Sequence, residues 1–362
     1  MLHAFRAVGV FALARRATRR DLRILCYHGF SLDDEHVWTP GLFIAPATLK
    51  RRLEHLRARG YPVLPLDEAI RRLAAGDLPD ASVVITIDDG FAGTHSVALP
   101  LFKAFAVPVT LYLTTYYVEH QSPIYNLSLR YLLWQGRNTP IDLSELNVAG
   151  VAGRVDAGDA SIPERERAAA ALTEYGHLHF DRDGRDALLE RLAGLLGLNY
   201  QEFVASRKLG LVRPDEIVEL RDGGLNIELH THRHWSPDRH DLSTREIRDN
   251  RAAIQKILPT AATHFCYPSG RSDRWNPAWL EETAVESATT CEPGFVSHRT
   301  DRFAMGRFLD GEHVLDIEFE AEVAGVYELV RRLRQSLRLE RPPEFNTDPA
   351  ECRPELAHGL HT

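Results

Sequence analysis

Two apolar runs that stop abruptly constrain the fold most: "ASVVITIDDG" (81–90) and "PVTLYLTT" (108–115), joined by the helical stretch "ALPLFKAF" (98–105). Both runs are rich in β-branched and aromatic residues, as buried strands are. A strand, a helix and a second strand in this order predict a parallel pair with a crossover helix. The same rhythm opens the chain, where "LRILCYHGF" (22–30) reads as a strand. It is followed by "PATLKRRLEHLRARGYPVLPLDEAIRRLAAG", read as a helix stopped at Gly60, a short strand and another helix.

From 118 to about 210 the rhythm breaks. Segments such as "PERERAAAALTEYGHLHF" and "DALLERLAGLLGLNYQEFVAS" are helical by propensity and spacing, and read as an insertion. Alternation resumes in "PDEIVELRDGGLNIELHTHRH" and runs through "ATHFCYPSG" and "PAWLEETAVESATTCEPG". The expected organisation is an N-terminal helix over 1–21, a barrel region over 22–335 carrying the insertion, and a Pro-rich flexible tail over 336–362.

A chain of 362 residues with 44% hydrophobic and 26% charged residues can bury a sizeable core. Its net charge of −8 argues against a general nucleic-acid binder. The cysteines, Cys26, Cys266, Cys291 and Cys352, form no CxxC pair, so neither a thiolate zinc knuckle nor a disulfide framework is indicated. The apolar stretch near the start is too short to span a bilayer and lacks a basic leader and cleavage site. With Arg15, Arg16, Arg19 and Arg20 it reads either as a helix on an anionic membrane surface or as a solvated charged face.

Two motifs carry chemistry. In "VVITIDDG", side-chain alternation sends Asp88 and Asp89 to opposite faces, so both serve one site only if the strand ends there. Gly90 permits that ending, and loops after strand C-termini are where parallel α/β folds build their sites. The alternative is a carboxylate that caps the next helix.

In "HTHRHWSPDRH", residues 230 to 240 hold four histidines, where 17 in 362 predict roughly 0.5 per eleven-residue window. In an extended strand, residues four apart lie about 13 Å from each other, too far for two imidazoles on one zinc. In a helical turn they become neighbours about 5–6 Å apart. Spacing alone leaves open whether His230 pairs with His234 or neighbours two apart pair along a strand.

Taken together, "ITIDDG", "HTHRH" and "FCYPSG" resemble the first three motifs of the polysaccharide deacetylase superfamily, the NodB homology domain. The opening "CYHGF" is similar to its poly-N-acetylglucosamine deacetylase-like branch. The resemblance covers about 22–120 and 212–310. It implies an irregular (β/α)7-type barrel, an α/β fold, with the site at the strands' C-terminal ends and the insertion beside the cleft.

By position, the resemblance implies that Asp89, His230 and His234 bind a divalent metal, with zinc the expected ion. Two imidazoles and a carboxylate leave a coordination position open for water. Asp88 becomes the general base, the backbone N–H of Ser269 an oxyanion donor, and Thr231 an anchor for the loop. His232 is read as an exposed histidine ahead of the alternatives that it supports the metal ligands or contacts substrate, and His240 as lying outside the metal's ligands.

Two departures from the family stand out. Cys266 occupies a position where many members carry an arginine that orients the base, so Arg307 is a candidate replacement. The late leucine-x-histidine motif that supplies a general acid is missing, which makes His28 the candidate acid. Tyr267, Asp273, Trp275 and Arg307 are expected to contact substrate.

The expected function is removal of an N-acetyl group from an N-acetylated saccharide, lipid-linked or nucleotide-linked, during polysaccharide or glycolipid synthesis. Hydrolysis of another acyl group and a catalytically inactive glycan-binding barrel are the rivals. The expected location is the cytoplasm, including the inner membrane surface.

Overall fold

The computed structural model describes residues 1–337. The chain divides into two compact units: Met1–Glu119 with the described chain from Val212 onward, and His120–Leu211.

The first unit is built on seven strands: β1 (Arg23–Tyr27), β2 (Val83–Asp89), β3 (Val109–Leu113), β4 (Leu225–Leu229), β5 (His264–Cys266), β6 (Ser287–Thr289) and β7 (Phe308–Leu309). All pair in parallel, in the order β6-β5-β4-β3-β2-β1-β7. Every residue of β1, β2 and β3 is buried, as expected for strands covered on both faces. The intervening helices include Pro46–Ala58, Leu66–Ala75, Leu99–Phe105, Pro214–Asp222, His240–Ile257 and Pro277–Glu282.

The curled sheet is completed by the segment Met305–Leu309. Met305 bridges Thr289 on β6, and three residues later Phe308 pairs with Leu25 on β1. This parallel sheet with its crossover helices is the one the alternation predicts, and its curl matches the (β/α) barrel that the resemblance implies. The short strand expected after Gly60 reduces to a single bridge, Val63 with Val83. The seventh strand is the two-residue β7, too short for any periodicity to mark.

β4 and β5 share one register pair, Leu229 with Phe265. Below it, the buried Glu228 carboxylate replaces the ladder by accepting from the N–H groups of Thr263 (2.8 Å) and His264 (2.7 Å). Burial pushes this carboxyl up to about 7, against the opposing pull of those donors.

The expected N-terminal helix is two, Leu2–Ala7 and Val10–Ala17, broken at Gly9, whose φ of 83° suits glycine. The expected tail lies outside the described residues from 338 on, and Ser336 still belongs to the helix Val326–Ser336.

The second unit is helical, with Tyr125–Gln135, Ile162–His179, Arg182–Leu195 and Tyr200–Ser206, plus a two-stranded ribbon of Ile141–Asp142 and Arg154–Val155. Gly176 lets two of its helices approach: a Cβ there would stand 2.2 Å from the Tyr125 hydroxyl oxygen.

Candidate metal centre and active site

Asp88 and Asp89 end β2, and both are buried. Strand alternation is broken at this point because Asp89 (φ 68°) and Gly90 (φ 96°) both lie in the left-handed region. A side chain at Gly90 would also strike Leu113, at 2.5 Å. The two carboxylates thus serve adjoining positions, one facing Arg307 and the other the histidine loop.

Beyond Leu229 the chain is neither strand nor helical turn. Residues 230–234 form a bent loop in which Thr231 (φ 60°) and His234 (φ 54°) adopt left-handed conformations. The loop folds back so that the rings of His230 and His234 stand 4.9 Å apart.

Several bonds hold it there. The His230 N–H donates to Asn250 Oδ1 (2.9 Å), and the Trp235 N–H donates to Thr231 Oγ1 (3.1 Å). The His232 carbonyl accepts from the N–H groups of Thr115 (3.2 Å) and Tyr116 (2.7 Å). The His232 ring turns away from the carboxylates toward Thr115 Oγ1, at 2.8 Å. It is buried, which corrects the reading of His232 as an exposed histidine: the residue staples the loop to the end of β3.

His230 Nε2 and His234 Nε2 each lie 3.3 Å from Asp89 Oδ1. Ligand atoms about 2.0–2.1 Å from a tetrahedral ion are about 3.3–3.4 Å apart, so both histidine–carboxylate separations match a tetrahedral edge around a zinc-like ion. His230 Nδ1 donates to the Cys266 carbonyl (2.9 Å), leaving Nε2 as the coordinating nitrogen. Burial pushes Asp89 up, and the two histidines more than reverse this, bringing it to about 2. His240 lies outside the cluster, exposed and paired with Glu282 at 2.6 Å.

Arg307, between Met305 and β7, has no exposed side-chain surface and grips Asp88 with both ends of its fork. Nη1 to Oδ1 and Nη2 to Oδ2 are each 2.7 Å. Its Nε donates to the Thr290 carbonyl at 2.9 Å. Burial pushes the Asp88 carboxyl up, and the Arg307 guanidinium more than reverses this, holding it well below the usual carboxylate range. The thiols of Cys266 (3.4 Å) and Cys26 (3.6 Å) also lie against Asp88 Oδ2. The small Cys266 thus leaves room for an arginine arriving from the far end of the sheet. His28, just past β1, reaches the same carboxylate, with Nε2 3.7 Å from Asp88 Oδ2.

Ser269 occupies a tight turn at φ 57°, tied to the histidine loop where Ser236 Oγ donates to the Pro268 carbonyl (3.1 Å). The expected substrate contacts do not gather here. Arg307 is sealed behind Asp88 and has no face for a sugar. Trp275, 7% exposed, packs on Phe265 and Tyr267. Tyr267 is buried and donates to the Phe303 carbonyl (2.9 Å), so both aromatics belong to the core. Asp273 is exposed and paired with Arg271 at 3.1 Å.

Sequence reasoning missed Asn250, Glu246 and Thr115. Asn250 is fully buried; besides holding His230, it donates to the Leu113 carbonyl (2.9 Å) and Thr115 Oγ1 (3.0 Å). Glu246 accepts from Arg233 N (2.9 Å) and Nη1 (2.6 Å). A signal existed: Asn250 interrupts the apolar stripe of its helix between the buried Ile247 and Ile254.

The family model described as polysaccharide deacetylase matches residues 186–285. That stretch contains the histidine loop and the "FCYPSG" turn, whereas Asp88 and Asp89 are joined to it by the fold. No curated protein sequence matches. Among solved structures, the chain is similar to the Streptococcus pyogenes deacetylase PplD, solved with acetate, at 16% identity and TM-score 0.55; the match covers 84% of this chain and 99% of that one. A de-N-acetylase from Aggregatibacter actinomycetemcomitans is similar at 15% identity and TM-score 0.51, over 83% of this chain and 99% of that one. IcaB from Ammonifex degensii is similar at 16% identity and TM-score 0.50, over 84% and 96%. At these identities the structures speak for the fold. The family model thus matches residues 186–285 of this chain, and the solved structures match the barrel that carries them.

Proposed function

We propose that this chain is a metal-dependent hydrolase that removes the N-acetyl group from an N-acetylated saccharide in polysaccharide or glycolipid synthesis. The observation that carries the reading is the convergence of His230 and His234 on Asp89, each at tetrahedral-edge spacing from its carboxylate, beside a second carboxylate held ionised. A divalent ion bound there would polarise the acetamide carbonyl and acidify a water molecule.

The chain's own groups handle the protons. Asp88 is anionic throughout the working pH range and accepts the proton of the attacking water. Because Arg307 depresses its basicity, Asp88 holds that proton only briefly. His28 Nε2, 3.7 Å away, is the group that delivers a proton to the departing amine. The Ser269 N–H is assigned to the developing oxyanion, on the strength of its turn beside the histidine loop. The products are acetate and the free amino sugar.

Acetate release from N-acetylglucosamine oligomers tests the reading, with wild type compared against Asp88→Asn. Release that survives that substitution, or metal-loaded protein that releases no acetate from any N-acetylated glycan, removes it.

A further inference from the structure

Among the described residues, eight of the eleven large apolar side chains that stand exposed lie on three helices at one place in the fold. Met1, Phe5, Val8 and Leu13 belong to the N-terminal helices. Leu329, Val330, Leu333 and Leu337 recur along one face of the helix Val326–Ser336 and its cap. These helices meet through a small buried cluster, with Phe11 and Ala14 against Ala321, Ala324 and Val326. Beyond that contact the apolar stripes are uncovered. Leu13 is 67% exposed and Leu333 58%.

Charge says what fits them. On the helix Val10–Ala17 the outer face carries Leu13, Arg16 and Ala17, with Arg20 continuing the same spacing. On the C-terminal helix Arg334 adjoins Leu333. None of these three arginines has an acidic partner among the described residues, whereas Arg6, Arg19, Arg331 and Arg332 are paired. In a chain of net charge −8, an apolar stripe edged by unpaired arginines is a local exception. It has the composition of a surface that lies in the headgroup region of an anionic bilayer. No described helix is long and apolar enough to cross a membrane.

We propose that this face docks the protein peripherally on an anionic phospholipid surface. Its place in the barrel gives the orientation. The N-terminal helices feed the start of β1, where Arg23 Nη1 donates to the Thr18 carbonyl (3.0 Å), and Arg15 holds the carbonyls of Arg59 (2.7 Å) and Gly60 (3.0 Å). His28, Asp89 and His230 stand at the opposite, C-terminal ends of their strands. A bilayer seated on the helices therefore leaves the catalytic mouth turned toward solution.

The test is flotation of the full chain with phosphatidylcholine vesicles, with and without phosphatidylglycerol, at low and high salt. Binding is expected only with the anionic lipid and is lost at high salt. Arg16→Gln, Arg20→Gln and Arg334→Gln should each weaken it about fivefold. The pair Leu13→Glu and Leu333→Glu should abolish it while acetate release from soluble oligomers stays unchanged, which checks folding. A monomeric chain that floats with neither vesicle overturns the proposal and leaves the stripe to residues 338–362. A dimer that Leu333→Glu dissociates, with no flotation, overturns it in favour of a second copy. Equal flotation with both lipids overturns the anionic assignment.

Discussion

Arg307 grips both oxygens of Asp88 at 2.7 Å across 219 residues of sequence, inside a barrel that leaves neither side chain accessible. Removing the cation leaves a buried anion without a partner, so Arg307→Met should cost about 3–5 kcal/mol of stability. Adding Asp88→Asn should restore much of that loss and none of the activity. Chemical denaturation of the single and double variants checks both statements. In Arg307→Lys the charge remains and the fork is gone, so Asp88 should regain basicity and the acid limb of kcat/KM should move to higher pH.

The ligand assignment predicts the metal content. His230→Ala and Asp89→Asn should each lose most bound divalent metal after dialysis, measured by elemental analysis, while circular dichroism stays that of the wild type. Full occupancy in His230→Ala would sink the assignment.

His28 separates proton delivery from metal binding. His28→Gln should retain metal, measured by elemental analysis, and lose about 10²–10⁴-fold in kcat. A variant that keeps kcat and loses only affinity for substrate would make His28 a binding residue.

Asn250 touches no ligand atom, yet it fixes the His230 backbone and the C-terminal end of β3. Asn250→Ala should weaken metal affinity by about 10–100-fold, as loss of supporting hydrogen bonds around metal sites does. Competition against a chromophoric chelator reads this directly.

Glu228 predicts the pH dependence of stability. Its folded carboxyl titrates at about 7 against an ordinary value of 4.5, so the folded state binds the extra proton between these limits. The stabilisation is complete below 4.5 and is lost as pH rises through 7, with a slope on the order of 1 kcal/mol per pH unit within the window. Glu228→Gln keeps an acceptor for Thr263 and His264 without the charge. It should flatten that slope and be the more stable protein at pH 8 in thermal melts.

Much of the barrel was legible because its longer strands are continuous apolar runs that end in polar, glycine-bearing turns. β7 was not, since two residues carry no period and its pairing is imposed by β1. In the site, spacing arguments that considered only strand and helix left the pairing of His230 with His234 open, and the resemblance alone favoured it. The pairing depends on two left-handed residues, Thr231 and His234, that are not glycines. Arg307 was found as a replacement for the missing arginine, but its expected contact with sugar fails because nothing in sequence reveals which side of Asp88 an arginine occupies. The aromatic signal of Trp275 misled for a related reason: an indole suits a sugar face and a hydrophobic core equally well.

The segment Met305–Leu309 both bridges β6 to β1 and delivers the only guanidinium that neutralises Asp88 among the described residues. A chain folded through β6 would hold the three proposed metal ligands and still carry an uncompensated carboxylate in its interior. Pairing β1 at the far edge of the sheet and neutralising Asp88 are therefore a single event, and Asp89, His230 and His234 can be in place before it.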